Sequence, residues 1–487
     1  MGMMSIGRAL SYLAAQAPDA LSIAHEDEAG VHRITRREVD LHSNRLARAY
    51  TAFGVGQGDF VTIALPNAIE FFLACAATWK LGATPQPVSA KLPALERRAI
   101  LELAKPKLIV GAPAEGVAGI AALPAGYEPD AALSDDALPD RLAPSWKAPT
   151  SGGSTGRPKI IVATHPGLFD PDSDPAHLVQ LVPGPLYHNA PFVFSMRSFF
   201  TGGPIVLMTR FDAEHALQLI DRYKVQDVVL VPTMMHRIMR LPRDTRLRYD
   251  VSSLGRILHM AAPCPPWLKE AFIEWLGPER VWELYAGTES QAMTMITGSE
   301  WLLHRGSVGQ AKAGSQIRIL DEQGHEVPPG VVGEVFMRPR GGTDSTYRYI
   351  GATAKRFGEW ESLGDMGHLD EDGYLYLADR QADMVISGGA NIYPAEVEAA
   401  LDAHPLVRSC AVIGLPDDDL GQKLHAIVDI ADHPIPADEL ATTLRSHLEQ
   451  HLVRYKIPRT FELVRAPVRD DAGKVRRSAL RQARVPK

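Results

Sequence analysis

Short apolar runs alternate with segments of helical periodicity along the N-terminal part of the chain. The segment Ala213–Tyr223 has apolar residues at positions i, i+3, i+4 and i+7, counted from Ala213, and these positions form one face of a helix. Pro266–Leu276 is also predicted as a helix, and Phe71–Leu81 as a buried one. Buried strands are predicted over Phe60–Leu65, Pro204–Met208, Asp227–Val231 and Gly255–Ala261. Strands that alternate with helices predict βαβ units and largely parallel sheets.

The pattern changes after about Gln310, where short strands are joined by polar turns, as in antiparallel hairpins. These strands are predicted over Gln316–Leu320, Gly333–Met337 and Tyr374–Ala378. From about Asp383 the chain has short strands and two helices, one beginning at Pro394 and one striped by leucines. The later strands are Cys410–Leu415, His425–Ile430 and Phe461–Val464. This last part predicts a small α+β domain.

Composition narrows the class of protein. The chain has 487 residues, 45% of them hydrophobic and 22% charged, which is typical of a globular protein with two or more structural units. The formal charge of −7 argues against a broad nucleic-acid surface. Cys75, Cys264 and Cys410 are far apart, which disfavours a disulfide framework or a zinc site. With no leader-like N-terminus and no apolar stretch long enough to span a membrane, these features predict a cytoplasmic protein.

A glycine-rich segment, SGGSTGRPK, runs from Ser151 to Lys159. Its glycines permit tight turns, its hydroxyls and cations attract anions, and such a loop can wrap phosphate oxygens with backbone N–H groups. It lacks the GxxxxGK[ST] spacing of a Walker A loop. The segment therefore predicts a phosphate site of another kind.

Four further motifs follow in order. YAGTE, from Tyr285 to Glu289, comes after the strand-like VWELY, at a point where α/β sheets bind ligands, and its carboxylate suits Mg²⁺. Asp365 and Arg380 could together hold the hydroxyls of a sugar. SGGANIYP leads into a helix, and DDAGKVRR carries a lysine, Lys474, on a glycine turn among basic residues. Taken singly, each motif is also compatible with a plain turn, loop or surface ion pair.

In order and spacing, the five motifs resemble the adenylate-forming superfamily, which includes acyl-CoA synthetases, peptide-synthetase adenylation domains and firefly luciferase. The resemblance covers essentially the whole chain. It implies an α/β fold with a large N-terminal domain, residues 1–381, of stacked α/β sheets plus a distorted β-barrel. It also implies a small, mobile α+β domain at residues 382–487. ATP, Mg²⁺ and CoA are implied as reactants and cofactors, and a homodimer is left open.

The resemblance also assigns roles to single residues. Lys474 matches the lysine that bridges the carboxylate and the α-phosphate, Glu289 the Mg²⁺ ligand and Thr288 a contact of the α-phosphate. Gly388 and Gly389 match the tunnel for the pantetheine arm of CoA. The positions that match contacts with the nucleotide are Ser151, Gly152, Gly153, Ser154, Thr155, Gly156, Lys159, Ala262, Pro263, Tyr285, Asp365 and Arg380. Tyr285 would face the adenine, and Asp365 with Arg380 the ribose.

The segment PLYHNAPF resembles the family's acyl-pocket gate, which predicts His188 as the gate. The other candidate pocket residues are Phe192, Met234, Ala261, Ala286 and Gly287. Small residues leave space, methionine adapts to shape, and no acidic or arginine side chain stands out to meet a charged substrate end. We therefore expect a bulky apolar carboxylic acid. The region most resembles bacterial CoA ligases of the bile-acid or steroid type.

The chain departs from the family pattern at Ala382, the usual hinge, at Ile160, where glycine is usual, and at Ala286. The leading hypothesis is an AMP-forming acyl-CoA ligase, with the carboxylate attacking Mg·ATP and a thiol then attacking the acyl-adenylate. An adenylating amide synthetase uses the same motifs with an amine acceptor. A catalytically silent relative that binds nucleotide or acyl ligand is the third reading, which the retained Lys474 and Glu289 disfavour.

Overall fold

The computed structural model describes residues 2–27, 30–152, 158–173, 177–342, 344–380, 383–387, 390–417, 420–430, 436–471 and 473–485. In chain order its strands are β1 (Met4–Ser5), β2 (Leu21–Asp27), β3 (Gly30–Thr35), β4 (Phe60–Ile63), β5 (Thr84–Pro87), β6 (Leu108–Val110), β7 (Ala121–Leu123), β8 (Thr150–Gly152), β9 (Pro158–Ala163), β10 (Leu168–Phe169), β11 (Gln180–Val182), β12 (Ile205–Met208), β13 (Asp227–Leu230), β14 (Arg256–Met260), β15 (Val281–Ala286), β16 (Met293–Thr297), β17 (Ser307–Ala311), β18 (Gln316–Leu320), β19 (Gly333–Arg338), β20 (Tyr347–Ile350), β21 (Lys355–Phe357), β22 (Trp360–Leu369), β23 (Leu375–Arg380), β24 (Val385–Ser387), β25 (Ala390–Ile392), β26 (Val407–Asp417), β27 (Gly421–Ile430) and β28 (Thr460–Val464).

The helices are α1 (Ile6–Gln16), α2 (Arg36–Ala52), α3 (Ile69–Lys80), α4 (Ala94–Ala104), α5 (Asn189–Thr201), α6 (Ala213–Tyr223), α7 (Pro232–Met239), α8 (Arg243–Arg246), α9 (Pro266–Leu276), α10 (Gly298–Leu303), α11 (Pro394–Asp402), α12 (Ala437–His451) and α13 (Arg477–Gln482). Helices α6 and α9 begin and end where the sequence predicts. The predicted strands β4, β12, β13 and β14 are each shorter by one or two residues.

The main sheet runs in the order β18-β19-β22-β23-β17-β16-β15-β14-β13-β11-β12-β2-β3. Its central strands, from β2 through β12, β11, β13 and β14 to β15, are parallel. A second parallel sheet has the order β5-β4-β6-β7, and β20-β9-β8 form a small antiparallel sheet. The predicted α/β architecture with parallel sheets is confirmed.

Strand β12 shows why the parallel strands are apolar along their whole length. Ile205 and Leu207 belong to a core beneath α1, α2, α3 and α5, whereas Val206 and Met208 belong to a second core beneath α6, α7 and α9. All four side chains are fully buried. Helices cover both faces of the sheet, so both faces of the strand must be apolar.

The antiparallel half of the main sheet contains β16 to β19 and β21 to β23. The resemblance implies a distorted β-barrel here. The described strands form a hydrogen-bonded continuation of the parallel half, with irregular register where β17 meets β23 and where β19 and β23 meet β22. Bulges of this kind bend a sheet and increase its twist.

The C-terminal part has a core of its own. Strands β26, β27 and β28 form a sheet, and Val397, Leu401, Leu444 and Leu448 pack helices α11 and α12 onto it. The leucine stripe that predicts α12 is thus its buried face. The predicted boundary between residues 381 and 382 lies outside the described residues and stays a prediction. No helix in the described part of the chain is long and apolar enough to cross a membrane.

Helix α3 buries a charged group at its last residue. The Lys80 side chain is 3% exposed, and its Nζ donates to Asp40 Oδ1 at 2.5 Å and to Asn44 Oδ1 at 2.6 Å. Burial lowers the pKa of Lys80, and Asp40 opposes that shift. An ammonium group so placed ties α3 to α2.

We predict that Lys80→Ala lowers the free energy of unfolding by about 3 kcal/mol, because it leaves the Asp40 carboxylate without its cation. Thermal unfolding measures the change. Lys91→Ala is the control, since Lys91 is exposed and its loss should cost less than about 0.5 kcal/mol. Equal melting temperatures for the two variants would contradict the prediction.

Candidate active site

The predicted site residues converge because four parallel strands end at one edge of the main sheet. Strand β11 leads to His188, β13 leads into α7, β14 leads to Ala261, and β15 leads to Glu289. These strands are neighbours in the order β11-β13-β14-β15. The loops beyond the carboxyl ends of such strands form the usual ligand crevice of open α/β sheets.

The turn after β14 lies beside the end of β15, since Met260 pairs with Leu284. Ala261 has a φ of 74°, a left-handed backbone conformation that residues other than glycine rarely adopt. This strained residue turns the chain into Ala262 and Pro263 next to Tyr285. The predicted adenine contacts thus come from two adjacent strand ends, and strain of this kind is typical of ligand sites.

The residues predicted to hold the nucleoside are connected. Tyr285 Oη donates to Asp365 Oδ2 at 2.6 Å, and only 8% of Asp365 is exposed. Asp365 lies directly opposite Arg380 in the antiparallel pair β22–β23. The backbone therefore brings the two predicted ribose residues to one place from different strands.

Glu289 is buried among polar partners. Its Oε1 accepts from Lys159 Nζ at 3.0 Å and from Tyr349 Oη at 2.6 Å, and the residue is 5% exposed. Burial and the nearby Glu289 carboxylate raise the pKa of Tyr349 above its ordinary value. Lys159 Nζ also lies 4.2 Å from the centre of the Tyr349 ring. The phosphate loop and the YAGTE motif are thus joined by an ion pair.

The two flanks of the phosphate loop face each other. Ser151 on β8 pairs with Lys159 on β9, and Gly152 pairs with Pro158. Gly153, Ser154, Thr155 and Gly156 lie outside the described residues, as do Gly388 and Gly389. The hairpin brings the ends of the predicted loop next to Glu289.

The donor chemistry at Glu289 fits a magnesium ion held partly by phosphate. No group of three His, Cys, Asp or Glu side chains among the described residues could form a metal cage. Mg²⁺ commonly uses one or two carboxylates together with substrate phosphates and water. Glu289, with Thr288 preceding it, would supply the hard oxygen ligand that this arrangement needs.

Gly287 is closely approached by the ends of two side chains. A Cβ at this position would lie 2.3 Å from Leu363 Cδ1 and 3.0 Å from Glu289 Oε2. Any larger residue would displace Leu363 or the carboxylate. The glycine of YAGTE thus leaves room for the end of the Leu363 side chain beside Glu289.

Lys474 lies on a turn that docks onto the N-terminal part of the chain. Asp470 Oδ1 accepts from Lys474 N at 2.9 Å, and Gly473 has a φ of 74°. A Cβ on Gly473 would lie 3.2 Å from Thr233 Oγ1 at the start of α7. The charge of Lys474 is also felt at His188. The lysine thus faces the same edge as Glu289, although 185 positions separate them in the sequence.

One buried carboxylate fixes both ends of this turn. Glu398 accepts from Arg469 Nη2 at 2.7 Å and from Arg477 Nη2 at 2.8 and 2.9 Å, and it also accepts from Val412 N at 2.8 Å. Burial opposes ionisation, but Arg469 and Arg477 keep the pKa of Glu398 below its ordinary value. We call these three side chains the Glu398 clamp. It rigidly ties the Lys474 turn to α11.

His188 precedes α5 and lies beside Tyr187, with 4.3 Å between the ring centres. Burial, reinforced by the charge of Lys474, lowers the pKa of His188 to about 3. Its Nε2 is buried and accepts or donates no hydrogen bond within the described structure. A neutral imidazole next to an incoming carboxylate suits the predicted gate.

Lys147 is a charged residue of the site that none of the sequence motifs contains. It is 4% exposed, and its Nζ donates to Asn189 Oδ1 at the start of α5. Burial lowers the pKa of Lys147 to about 7, against the opposing effect of Glu289. The feature of the sequence that could have indicated this residue is a single charged side chain within the otherwise uncharged stretch SWKAP.

The predicted pocket residues fall into two groups. Phe192 and Met234 are buried members of the two cores, and the Phe192 ring lies 6.2 Å from Phe71 and 5.9 Å from Trp146. Ala261 and Ala286 are exposed at the strand ends. The lining role of all four stays a prediction, and the packing of Phe192 accounts for its burial without a ligand.

Two sequence models match the chain. The AMP-binding enzyme family matches residues 11–345, and the AMP-binding enzyme C-terminal domain matches residues 396–474. The chain belongs to the AMP-binding enzyme family.

Three similar proteins cover nearly the whole chain. The long-chain-fatty-acid–CoA ligase FadD13 of Mycobacterium tuberculosis is 30% identical, over 93% of this chain and 94% of its own. Feruloyl-CoA synthase of Amycolatopsis is 32% identical, over 96% and 97%. The structure of o-succinylbenzoate CoA synthetase from Bacillus subtilis with its acyl-adenylate superposes with a TM-score of 0.82, at 25% identity and over 100% of both chains.

These findings confirm the predicted adenylate-forming superfamily and its large and small domains. The two family matches lie on either side of the predicted boundary at 381 and 382. The prediction of an AMP-forming ligase also agrees with the CoA ligase names of the relatives.

We predict that His188 stays neutral between pH 5 and pH 8, because its folded pKa of about 3 lies below the ordinary value of 6.5. Below pH 6.5 the unfolded chain binds the proton and the folded one does not, so this residue costs stability as the pH falls toward 3. Histidine-selective NMR follows the signal, which His188→Gln assigns by removal. A His188 signal that titrates between pH 6 and 7 would contradict the prediction.

Proposed function

We propose that this protein is an AMP-forming carboxylate–CoA ligase for a bulky apolar carboxylic acid. The observation that carries the proposal is the docking of the Lys474 turn against Thr233, at the edge that also holds Glu289 and close enough for the charge of Lys474 to act on His188. A mobile cation is thus delivered to a site that already contains a phosphate-loop lysine and a buried carboxylate.

The first half-reaction joins two anions. A carboxylate oxygen attacks the α-phosphorus of ATP, the new O–P bond forms, and the bond to the β-phosphate breaks to release pyrophosphate. Fixed positive charge aimed at the crowded phosphate stabilises that transition state. Lys474 supplies this charge, while Ser151 and Lys159 border the loop for the leaving phosphates. Mg²⁺ bound to Glu289 would neutralise further phosphate charge.

The second half-reaction transfers the acyl group. The thiol of CoA loses its proton and attacks the acyl carbon, the C–O bond to AMP breaks, and AMP leaves. For this step the small domain rotates. The rotation withdraws Lys474 and brings Gly388 and Gly389 to the pantetheine arm. The likeness to CoA ligases supports this acceptor.

The acyl group is bulky and apolar. Ala261, Ala286 and Gly287 leave room at the strand ends, and the relatives named above act on a long-chain fatty acid and on a feruloyl group. We extend this to aryl, fatty and steroid acids of the bile-acid type as the substrate panel.

The three cysteines are free thiols, which agrees with a reducing compartment such as the cytoplasm.

Mass spectrometry of the products tests the function. The protein is incubated with ATP, Mg²⁺, CoA and a panel of aryl, fatty and steroid carboxylates. An acyl-CoA together with AMP supports the ligase and identifies the acid. Acyl-adenylate without thioester would point to an amide synthetase, and nucleotide binding without pyrophosphate release to a silent relative.

We predict that Lys474→Ala lowers the rate of adenylation at least 100-fold, because the variant lacks the cation at the transition state. Transfer to CoA from a supplied acyl-adenylate should change less than about threefold. Pyrophosphate release and thioester formation are measured separately. Lys423→Ala, a cation on β27 away from this turn, is the control. Equal loss of both half-reactions in Lys474→Ala would contradict the two-orientation account.

A further inference from the structure

Arg240 joins the two domains. It follows the last residue of α7 in the large domain, and its guanidinium donates to carbonyl groups of the small domain. Nη2 donates to His404 O at 3.0 Å and to Val407 O at 2.9 Å, and Nη1 donates to Pro405 O. We call these contacts the Arg240 clasp. A planar guanidinium that engages three carbonyls fixes orientation as well as distance.

The clasped carbonyls lie between the end of α11 at Asp402 and the start of β26 at Val407. The end of a helix carries partial negative charge, so an arginine there is favourable. Burial lowers the pKa of Arg240, and Asp402 opposes that shift. The clasp therefore grips one end of α11 with a charge-assisted contact.

Helix α11 also carries Glu398, whose clamp fixes both ends of the Lys474 turn. A rigid connection therefore runs from the large domain through Arg240, α11 and Glu398 to Lys474. The orientation of α11 decides where the lysine lies.

Two other features of the described interface hold the domains less firmly. A cavity lies between the domains, bordered by Thr233, Ala262 and Trp267 on one side and by Ala399, Asp402 and Arg408 on the other. The ion pair between Arg476 and Glu96 spans 3.6 Å, and 70% of the Arg476 side chain is exposed. Exposed pairs contribute little to stability. Around this cavity the two domains are not closely packed, so packing there does not fix their relative orientation.

His236 orients the clasp from within α7. Arg240 Nε donates to His236 Nε2 at 3.2 Å, which requires an unprotonated acceptor nitrogen. Burial and the neighbouring arginines lower the pKa of His236 to about 4, so the imidazole is neutral at physiological pH. The guanidinium is thus also held from within the large domain.

We propose that Arg240 is a positioning residue for the adenylation half-reaction, an inference that rests on the proposed ligase function. By clasping the carbonyls after α11, it selects the domain orientation that delivers Lys474 and gives no help to the orientation needed for CoA. Its removal should slow adenylation and spare thioester formation.

The two half-reactions of Arg240→Ala test this. We expect pyrophosphate exchange at saturating ATP to fall about tenfold, with the KM for ATP nearly unchanged because the nucleotide contacts lie in the large domain. Transfer from a supplied acyl-adenylate should change less than twofold or become faster. Arg240→Lys keeps the charge but not the planar fork, and its exchange rate should be intermediate.

Arg243→Ala is the matched control, since it removes an exposed arginine three positions along the chain, on α8. It should keep both rates. Parallel loss of both half-reactions in Arg240→Ala, or unchanged exchange in a variant that melts at the wild-type temperature, would overturn the proposal.

A distance measurement separates this proposal from the ligase function. Spin labels are attached at Leu303→Cys in the large domain and at Gln450→Cys in the small domain, both exposed positions. Without any substrate, Arg240→Ala should broaden or shift the distance distribution, whereas Arg243→Ala should not. An unchanged distribution would overturn the clasp even if the protein proves to be a ligase. A changed distribution would support it even if no acyl-CoA forms.

Discussion

The proposed chemistry of this protein depends on the buried carboxylate of Glu398. It lies in the small domain with two arginines around it, and those arginines are the residues that bracket the Lys474 turn. Removing charges from water costs free energy, which only close and complementary partners offset. In return the position of the Lys474 turn is fixed, because Arg469 and Arg477 hold it against Glu398 on α11. A site that must join two anions needs its cation at a defined point, and the clamp supplies that definition.

The large domain contributes the complementary half through its topology. Parallel strands end at one edge, so residues from four segments that are far apart in the sequence meet there. Strain at Ala261 and close packing around Gly287 accompany this convergence. Both occur beside the predicted nucleotide contacts. The two halves then meet across an interface that contains a cavity, which agrees with the proposed rotation of the small domain after the first step.

Local pattern predicted a large part of this arrangement. Apolar periodicity gave the bounds of α6 and α9, and motif order indicated which residues would converge, as Tyr285 with Asp365 and Lys159 with Glu289 do. Lys147, Arg240 and the Glu398 clamp were not predicted. Each depends on partners far away in the sequence: Arg240, for example, binds carbonyls more than 160 positions later. A backbone carbonyl leaves no trace in residue identity, so no pattern could reveal that contact.

A crystal structure with a non-hydrolysable acyl-adenylate analogue would show where the Lys474 turn lies when the site is occupied. We expect the adenine against Tyr285 and the ribose at Asp365, with Lys474 Nζ at the acyl-phosphate position and the Glu398 clamp and Arg240 clasp both intact. An analogue bound at that edge with the Lys474 turn held elsewhere by a disrupted clamp would contradict it. So would a nucleoside bound away from Tyr285 and Asp365.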